Sequence, residues 1–261
     1  MAQYVLPASY APDRLTNNEI GLKAEFLNRR LQWNGALYRE NWNNVQVAFF
    51  NPGIVGNVFY DTNGQDFLLK GIETSIVARL MRGLTVQGAA SWNHSEQTNS
   101  PKLINNNLNV GQEITQSCGG SYYTGVCVGA SNPFGPAGAP TANSPPIQFS
   151  LRARYEWSIG DYLAFAQAGA VHTGHSFTQA GANPSLDQAG AISTGRLRFE
   201  DPAFTTYDAS FGVAKDAWNL SVFGENLSNS NAAVFTSTDQ FIVAQTPVRP
   251  RVIGVSFGYK F

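Results

Sequence analysis

The sequence predicts an all-β protein, an antiparallel meander of about nine strands belonging to the wall of a transmembrane β-barrel. Three observations predict it. Apolar and polar residues alternate with period two in segment after segment between Thr16 and Phe261, which is the pattern of strands with two unlike faces. Short turns alternate with long polar connections. In the clearest hairpin the polar face carries charges at mid-strand, whereas the apolar face carries none between Ile72 and Val86; a barrel gives such a face to lipid and turns the charges into a wet lumen.

The alternation is clearest from Lys70 to His94. Ile72, Thr74, Ile76, Ala78 and Leu80 share one face against Glu73, Ser75, Val77 and Arg79. After the Met81-Arg82-Gly83 turn, Leu84, Val86, Gly88, Ala90 and Trp92 alternate with Thr85, Gln87, Ala89, Ser91 and Asn93. The remaining elements follow in chain order. Ile20, Leu22, Ala24 and Phe26 oppose Glu19, Gly21, Lys23 and Glu25, and a turn at Leu27 to Arg30 leads to Leu31, Trp33, Gly35 and Leu37. That second strand is expected to run on through Trp42 and Val45 to Phe50. Asn51-Pro52-Gly53 signals a turn, and the chain returns through Val58 to Tyr60 as the second of two overlong arms.

Ile147, Phe149, Leu151, Ala153, Tyr155 and Trp157 oppose Gln148, Ser150, Arg152, Arg154 and Glu156. Tyr162 to Gly174 continues with poorly distinguished faces. Tyr207, Ala209, Phe211 and Val213 form the next strand, Trp218, Leu220 and Val222 the one after, and Ile253, Val255, Phe257, Tyr259 and Phe261 the last. Turns near 28, 82, 159 and 216 are short; connections at about 95–145, 175–203 and 227–248 are long, polar and placed at the other rim. Aromatics gather at strand ends, among them Phe26, Trp33, Trp92, Tyr155, Trp157, Tyr162, Tyr207 and Trp218. Unequal rims with aromatic girdles are the layout of an outer-membrane barrel.

Composition agrees. Charged residues make up 13% of the 261, far below the roughly 25% of a soluble domain, while aromatics reach 12% and glycines number 25. A net charge of −1 gives no basis for binding nucleic acid. No apolar run of about 18 residues exists for a transmembrane helix, and Met1 to Pro7 does not resemble a secretory signal. Cys118 and Cys127 share one Gly-rich segment; a local disulfide is expected over a metal site, since two ligands without companions are too few.

Four stretches together resemble the C-terminal part of a TonB-dependent receptor barrel. They are S-Y-A-P-D-R-L-T-N-N-E-I-G-L-K from Ser9, L-L-K-G-I-E-T-S-I-V-A-R-L-M-R-G-L-T-V at 68–86, T-Y-D-A-S-F-G-V-A-K-D-A-W-N-L-S-V-F-G-E-N-L-S-N at 206–229, and the ending R-P-R-V-I-G-V-S-F-G-Y-K-F. The resemblance implies an outer-membrane protein in which a 22-stranded barrel surrounds an N-terminal plug preceded by a box that contacts TonB. Plug and box are absent from these residues, so the whole of 1–261 is expected to be the C-terminal barrel portion, matching the last nine strands. Nine is an odd count for a bacterial barrel, and an open sheet in hydrocarbon leaves two unpaired edges. The chain is therefore expected to be a fragment, a truncated product or half of a split receptor. Phe257, Tyr259 and Phe261 resemble the terminal signal that the barrel assembly machinery reads. Outer-membrane lipid, TonB acting through the plug, and a ferric siderophore or other scarce nutrient are the implied partners.

Chemistry-bearing motifs are sparse. His172 and His175 are three apart in a strand and face opposite sides, Asp61 to Asp66 lacks the distal Glu of a calcium loop, and no nucleophile, base and acid share a motif, so neither an enzyme nor a cofactor is expected. The inward charges Glu19, Lys23, Glu25, Glu73, Arg79, Arg152, Arg154, Glu156 and Glu225 suit a hydrated wall paired across strands. Alternatively, Arg152 and Arg154 help hold an anionic ligand that Tyr122, Tyr123 and Phe134 in the longest connection meet first. Two other classes stay open at this point: a passive structural or pore-forming barrel assembled with a partner, and a secreted β-sandwich adhesin.

Overall fold

Strands and turns, with no helix, make up the described residues of the computed structural model. These are residues 9–53, 56–101, 136–178, 199–237 and 243–260, with the backbone of short paired segments at 104–105, 112–113, 116–118, 127–129, 185–186 and 192–193. In chain order they are β1 (Arg14–Phe26), β2 (Leu31–Asn43), β3 (Gln46–Gly53), β4 (Gly56–Asn63), β5 (Phe67–Met81), β6 (Leu84–Gln97), β7 (Ile104–Asn105), β8 (Gln112–Glu113), β9 (Gln116–Cys118) and β10 (Cys127–Gly129). Next come β11 (Ile147–Ile159), β12 (Tyr162–Thr173), β13 (Ser176–Phe177), β14 (Ser185–Leu186), β15 (Ile192–Ser193), β16 (Glu200–Asp201), β17 (Phe204–Lys215), β18 (Trp218–Glu225), β19 (Ala233–Ser237), β20 (Ala244–Pro247) and β21 (Val252–Tyr259).

Nine of these form one antiparallel sheet in the order β1-β2-β5-β6-β11-β12-β17-β18-β21. The strands of this sheet follow one another in chain order with no crossover, as in a barrel wall. The other strands pair off as two-stranded ribbons, β3 with β4 between β2 and β5 and the rest within the long connections.

Register keeps the two faces separate across the sheet. The row Ala24, Trp33, Ile76, Gly88, Leu151, Ala170, Tyr207 runs unbroken through seven strands. One residue away on each strand lies the row Glu25, Gln32, Val77, Gln87, Arg152, Gly169, Asp208. A one-residue slip anywhere would exchange the faces, so the pattern itself fixes the pairing. Turn ends step along the sheet: Phe26, last in β1, is level with Ala153, whereas β11 runs on to Ile159. That stagger accompanies strand tilt in barrels.

The apolar face is uncovered. Ile72 is 47% exposed, Ile76 38%, Leu151 51%, Phe211 50% and Val255 67%. Buried apolar residues are confined to Val45, Phe67, Ala78, Ala139, Ala164 and Ala233 among the described residues. A water-soluble sandwich buries such a face under a second sheet, and no such layer covers it among the described residues. An uncovered apolar face opposite a charged one is the pattern of a membrane-barrel wall.

One expected strand differs. β2 does not run to Phe50; it stops at Asn43, and β3 and β4 pair as a separate hairpin. Asn44 takes a φ of 54°, a left-handed conformation that asparagine tolerates better than most residues. The Asp66 carboxylate then holds the break, accepting from the Asn44 backbone N–H at 2.7 Å and from Asn99 Nδ2 at 2.7 Å. The hairpin is thus a projection hinged at the sheet rim and clamped to the end of β6.

Candidate functional site

The polar face is the candidate site, because it carries the charged and hydrogen-bonding side chains at mid-strand. Period two places Glu19, Lys23, Asn34, Glu73, Ser91 and Gln148 on this side of β1, β2, β5, β6 and β11, where they line a hollow of about 680 Å³ that extends to Thr173 in β12. Residues of the other parity, Leu22, Phe149 and His172, also border it. In a barrel wall the charged side is the inner face and the apolar side the outer one.

A second hollow of about 370 Å³ lies over β11, β12, β17 and β18, lined by Arg152, Gln167, Asp208, Ser210, Glu225 and Arg249. Its acids are largely engaged. Glu225 Oε2 lies 3.2 Å from Arg249 Nη1, and Asp208 Oδ1 accepts from the Asn226 backbone N–H at 2.9 Å. Asn226 is itself buried and is the hub of the turn after β18. Its Nδ2 donates to the carbonyls of Ser230 at 2.8 Å and Arg249 at 2.9 Å, and its Oδ1 accepts from the Ser230 N–H at 3.0 Å.

The two arginines singled out from the sequence have different surroundings. Arg154 Nε donates to Glu156 Oε1 at 2.8 Å, and its guanidinium lies 3.8 Å from the centre of the Phe165 ring. Phe165 in turn covers Gly212, its cross-strand partner, where an added Cβ would come within 2.5 Å of the ring. Arg154 is therefore stacked and paired. Arg152 has no ion-pair partner among the described residues, is exposed, and faces the second hollow. Phe165, which separates the two roles, was hidden in the sequence because β12 has Leu163, Phe165 and Val171 on its inner face and mainly alanine on its outer one.

Other candidates divide as follows. Tyr122, Tyr123, Phe134 and Phe261 lie outside the described residues. Cys118 and Cys127 are directly opposite each other in the β9–β10 ladder. Phe257 and Tyr259 are on the outer face of β21, which borders the sheet. His172 is on the outer face, its ring stacked 5.0 Å from Phe149 and its Nδ1 2.9 Å from Thr205 Oγ1. No three His, Cys, Asp or Glu residues cluster as a metal site among the described residues.

The long connections are stitched to one another. The Asn143 N–H donates to the Phe177 carbonyl at 2.7 Å, Ser176 pairs with Asp201 between β13 and β16, and Thr236 Oγ1 donates to the buried Asp201 carboxylate. Nothing in the local sequence marks these contacts: Ser176 and Asp201 are far apart within one connection, and the other two contacts join residues from different connections.

A family profile described as TonB dependent receptor-like, beta-barrel matches residues 3–227. No curated protein matches the chain in sequence. Among solved structures, the ferric yersiniabactin uptake receptor FyuA from Yersinia pestis superposes with a TM-score of 0.61 at 15% identity, over 95% of this chain and 30% of that one. The pyoverdine outer membrane receptor FpvA from Pseudomonas aeruginosa PAO1 gives 0.61 at 17%, over 96% and 30%. The copper transporter OprC gives 0.60 at 13%, over 96% and 32%. The chain thus spans about a third or less of the length of the solved structures it resembles.

Proposed function

Because the chain belongs to the TonB-dependent receptor β-barrel family and lies in the outer membrane, we propose that it forms the C-terminal wall of a receptor importing a ferric siderophore. Further strands pair with β1 and β21, which border the nine-stranded sheet, since unpaired N–H and C=O groups in hydrocarbon cost several kcal/mol each. The short turns face the periplasm and the long connections the exterior. TonB acts through a plug held in the lumen, and this segment provides wall, outer connections and the aromatics Phe257, Tyr259 and Phe261 that the assembly machinery reads.

One observation carries the ligand class: Arg152 is an exposed guanidinium on the inner face beside Gln167 and Ser210, with its acidic neighbours engaged elsewhere. Such a group attracts an anionic chelate, and Arg154, held by Glu156 and Phe165, contributes less. FyuA and FpvA, named for yersiniabactin and pyoverdine, support a siderophore; OprC, named for copper, is the reason to test it. Tyr122, Tyr123 and Phe134 make first contact from the longest connection, and a Cys118–Cys127 disulfide braces that connection. Directly opposed strand residues lie about 4.5–5.5 Å apart at Cα, within the range a disulfide spans.

The test is equilibrium binding to outer membranes bearing the receptor, using iron-55 chelates of a catecholate, a hydroxamate and a carboxylate siderophore beside free copper. Saturable binding of one chelate, weakened about tenfold or more by Arg152→Gln and less by Arg154→Gln, supports the assignment. Binding of copper alone, or ion conductance with no chelate bound, rejects the siderophore in favour of a metal importer or a passive pore.

A further inference from the structure

We propose that Arg39 and Lys70 form a binding site for a phosphorylated lipid headgroup on the outer surface of the barrel wall. On that surface the row Ile20, Leu37, Ile72, Trp92, Ile147 is apolar throughout. The next row on the same face, toward the long connections, is Asn18, Arg39, Lys70, His94. Charge therefore begins one step beyond Trp92, at the level where acyl chains give way to headgroups.

The arrangement is unfavourable by itself. Arg39 and Lys70 are directly opposed cross-strand partners, a position in which like charges repel. Both are exposed, and neither has an acidic partner among the described residues. Glu40 and Glu73 have the opposite parity and face the lumen. Glu96, on the outer face, lies 3.3 Å from His94 Nε2 and is shared with that imidazole. An anion bridging Arg39 and Lys70 relieves the repulsion, and the amides of Asn18 and Asn41, on the same face of β1 and β2, add donors for phosphate oxygens.

The apolar row below identifies the occupant. Leu37 and Ile72 lie immediately beneath the two cations and are both exposed. A free phosphate would gain nothing from them, whereas a phosphorylated lipid lays its acyl chains along them and its headgroup on the cations. This inference rests on the orientation proposed above, which puts the row at the outer leaflet.

The test is native mass spectrometry of the receptor purified from outer membranes, with bis-phosphorylated lipid A as probe. The wild type is expected to retain it. Arg39→Gln/Lys70→Gln is expected to bind at least tenfold more weakly, and Arg82→Gln/Lys260→Gln, which removes the same charge at the short-turn end, to bind as the wild type does. Dephosphorylated lipid A is expected to bind the wild type at least tenfold more weakly; should the first variant not assemble, this comparison decides alone. Equal retention by wild type and Arg39→Gln/Lys70→Gln, equal binding of the dephosphorylated lipid, or displacement of lipid by free diphosphate would overturn the proposal. A chain present in the outer membrane without this lipid refutes only this site; a chain absent from the outer membrane refutes the functional proposal itself.

Discussion

Gly83 sits in the turn between β5 and β6 with a φ of +83°, and a Cβ there would lie 2.1 Å from the Glu156 carbonyl oxygen. That carbonyl belongs to the neighbouring hairpin, whose Glu156 N–H donates to the Gly83 carbonyl at 2.9 Å. Gly83→Ala therefore combines a disfavoured conformation with a backbone collision. It should lower stability by about 1–3 kcal/mol, read as a reduced urea midpoint in detergent micelles; an unchanged midpoint would show that the turn is free to move. Arg154 and Phe165 give a second residue-scale expectation. Their double-mutant cycle to alanine should return a coupling of about 0.5–2 kcal/mol, against none for Arg152 with Phe165. The sequence placed both arginines on the inner face correctly, because parity alone decides that. It could not say which of them was engaged, because the partner Phe165 comes from another strand.

At the scale of elements, β12 shows why the pattern faded where it did. Its outer residues include Ala164, Ala166, Ala168 and Ala170, and the rings of Trp157 in β11 and Phe211 in β17 approach to 6.1 Å across it. Ala164 is 0% exposed on a face whose large apolar side chains are mostly open. Small outer residues make room for rings from both neighbours, so the strand has little hydrophobic contrast of its own. Ala164→Leu should displace Trp157 and cost about 1–3 kcal/mol, seen as a lower heat-modifiability midpoint on gels; a raised midpoint would mean the rings leave a void. The β3–β4 hairpin is the element the sequence misplaced. Alternation continued through Asn44, and only a break in backbone conformation, held by Asp66 and Asn99, shows that the arms detach from the main sheet. Asp66→Ala should free the hairpin and speed proteolysis within 46–63 while leaving the nine-stranded sheet protected. Equal cleavage rates would refute the clamp.

For the whole molecule, the decisive property is a large sheet with two exposed faces of unlike chemistry and few buried apolar side chains among the described residues. Hydrophobic burial in water cannot hold such a sheet; backbone pairing in a low-dielectric surrounding can. This much was legible from alternation, turn lengths and the scarcity of charge. The lateral stitching of the connections through Phe177, Asp201 and Thr236 was not, because no periodicity governs it.

The most direct measurement is the accessibility of spin labels on single cysteines introduced into a Cys118→Ser/Cys127→Ser background, in lipid bilayers. Labels at Ile76, Leu151 and Val255 are predicted to be relaxed mainly by oxygen, which concentrates in acyl chains. Labels at Ser75, Arg152 and Ser256, one residue away in each case, are predicted to be relaxed mainly by a water-soluble nickel chelate. Equal nickel accessibility at both sets, or protection of the first set from both reagents, would contradict the assignment of one face to lipid and the other to a wet lumen.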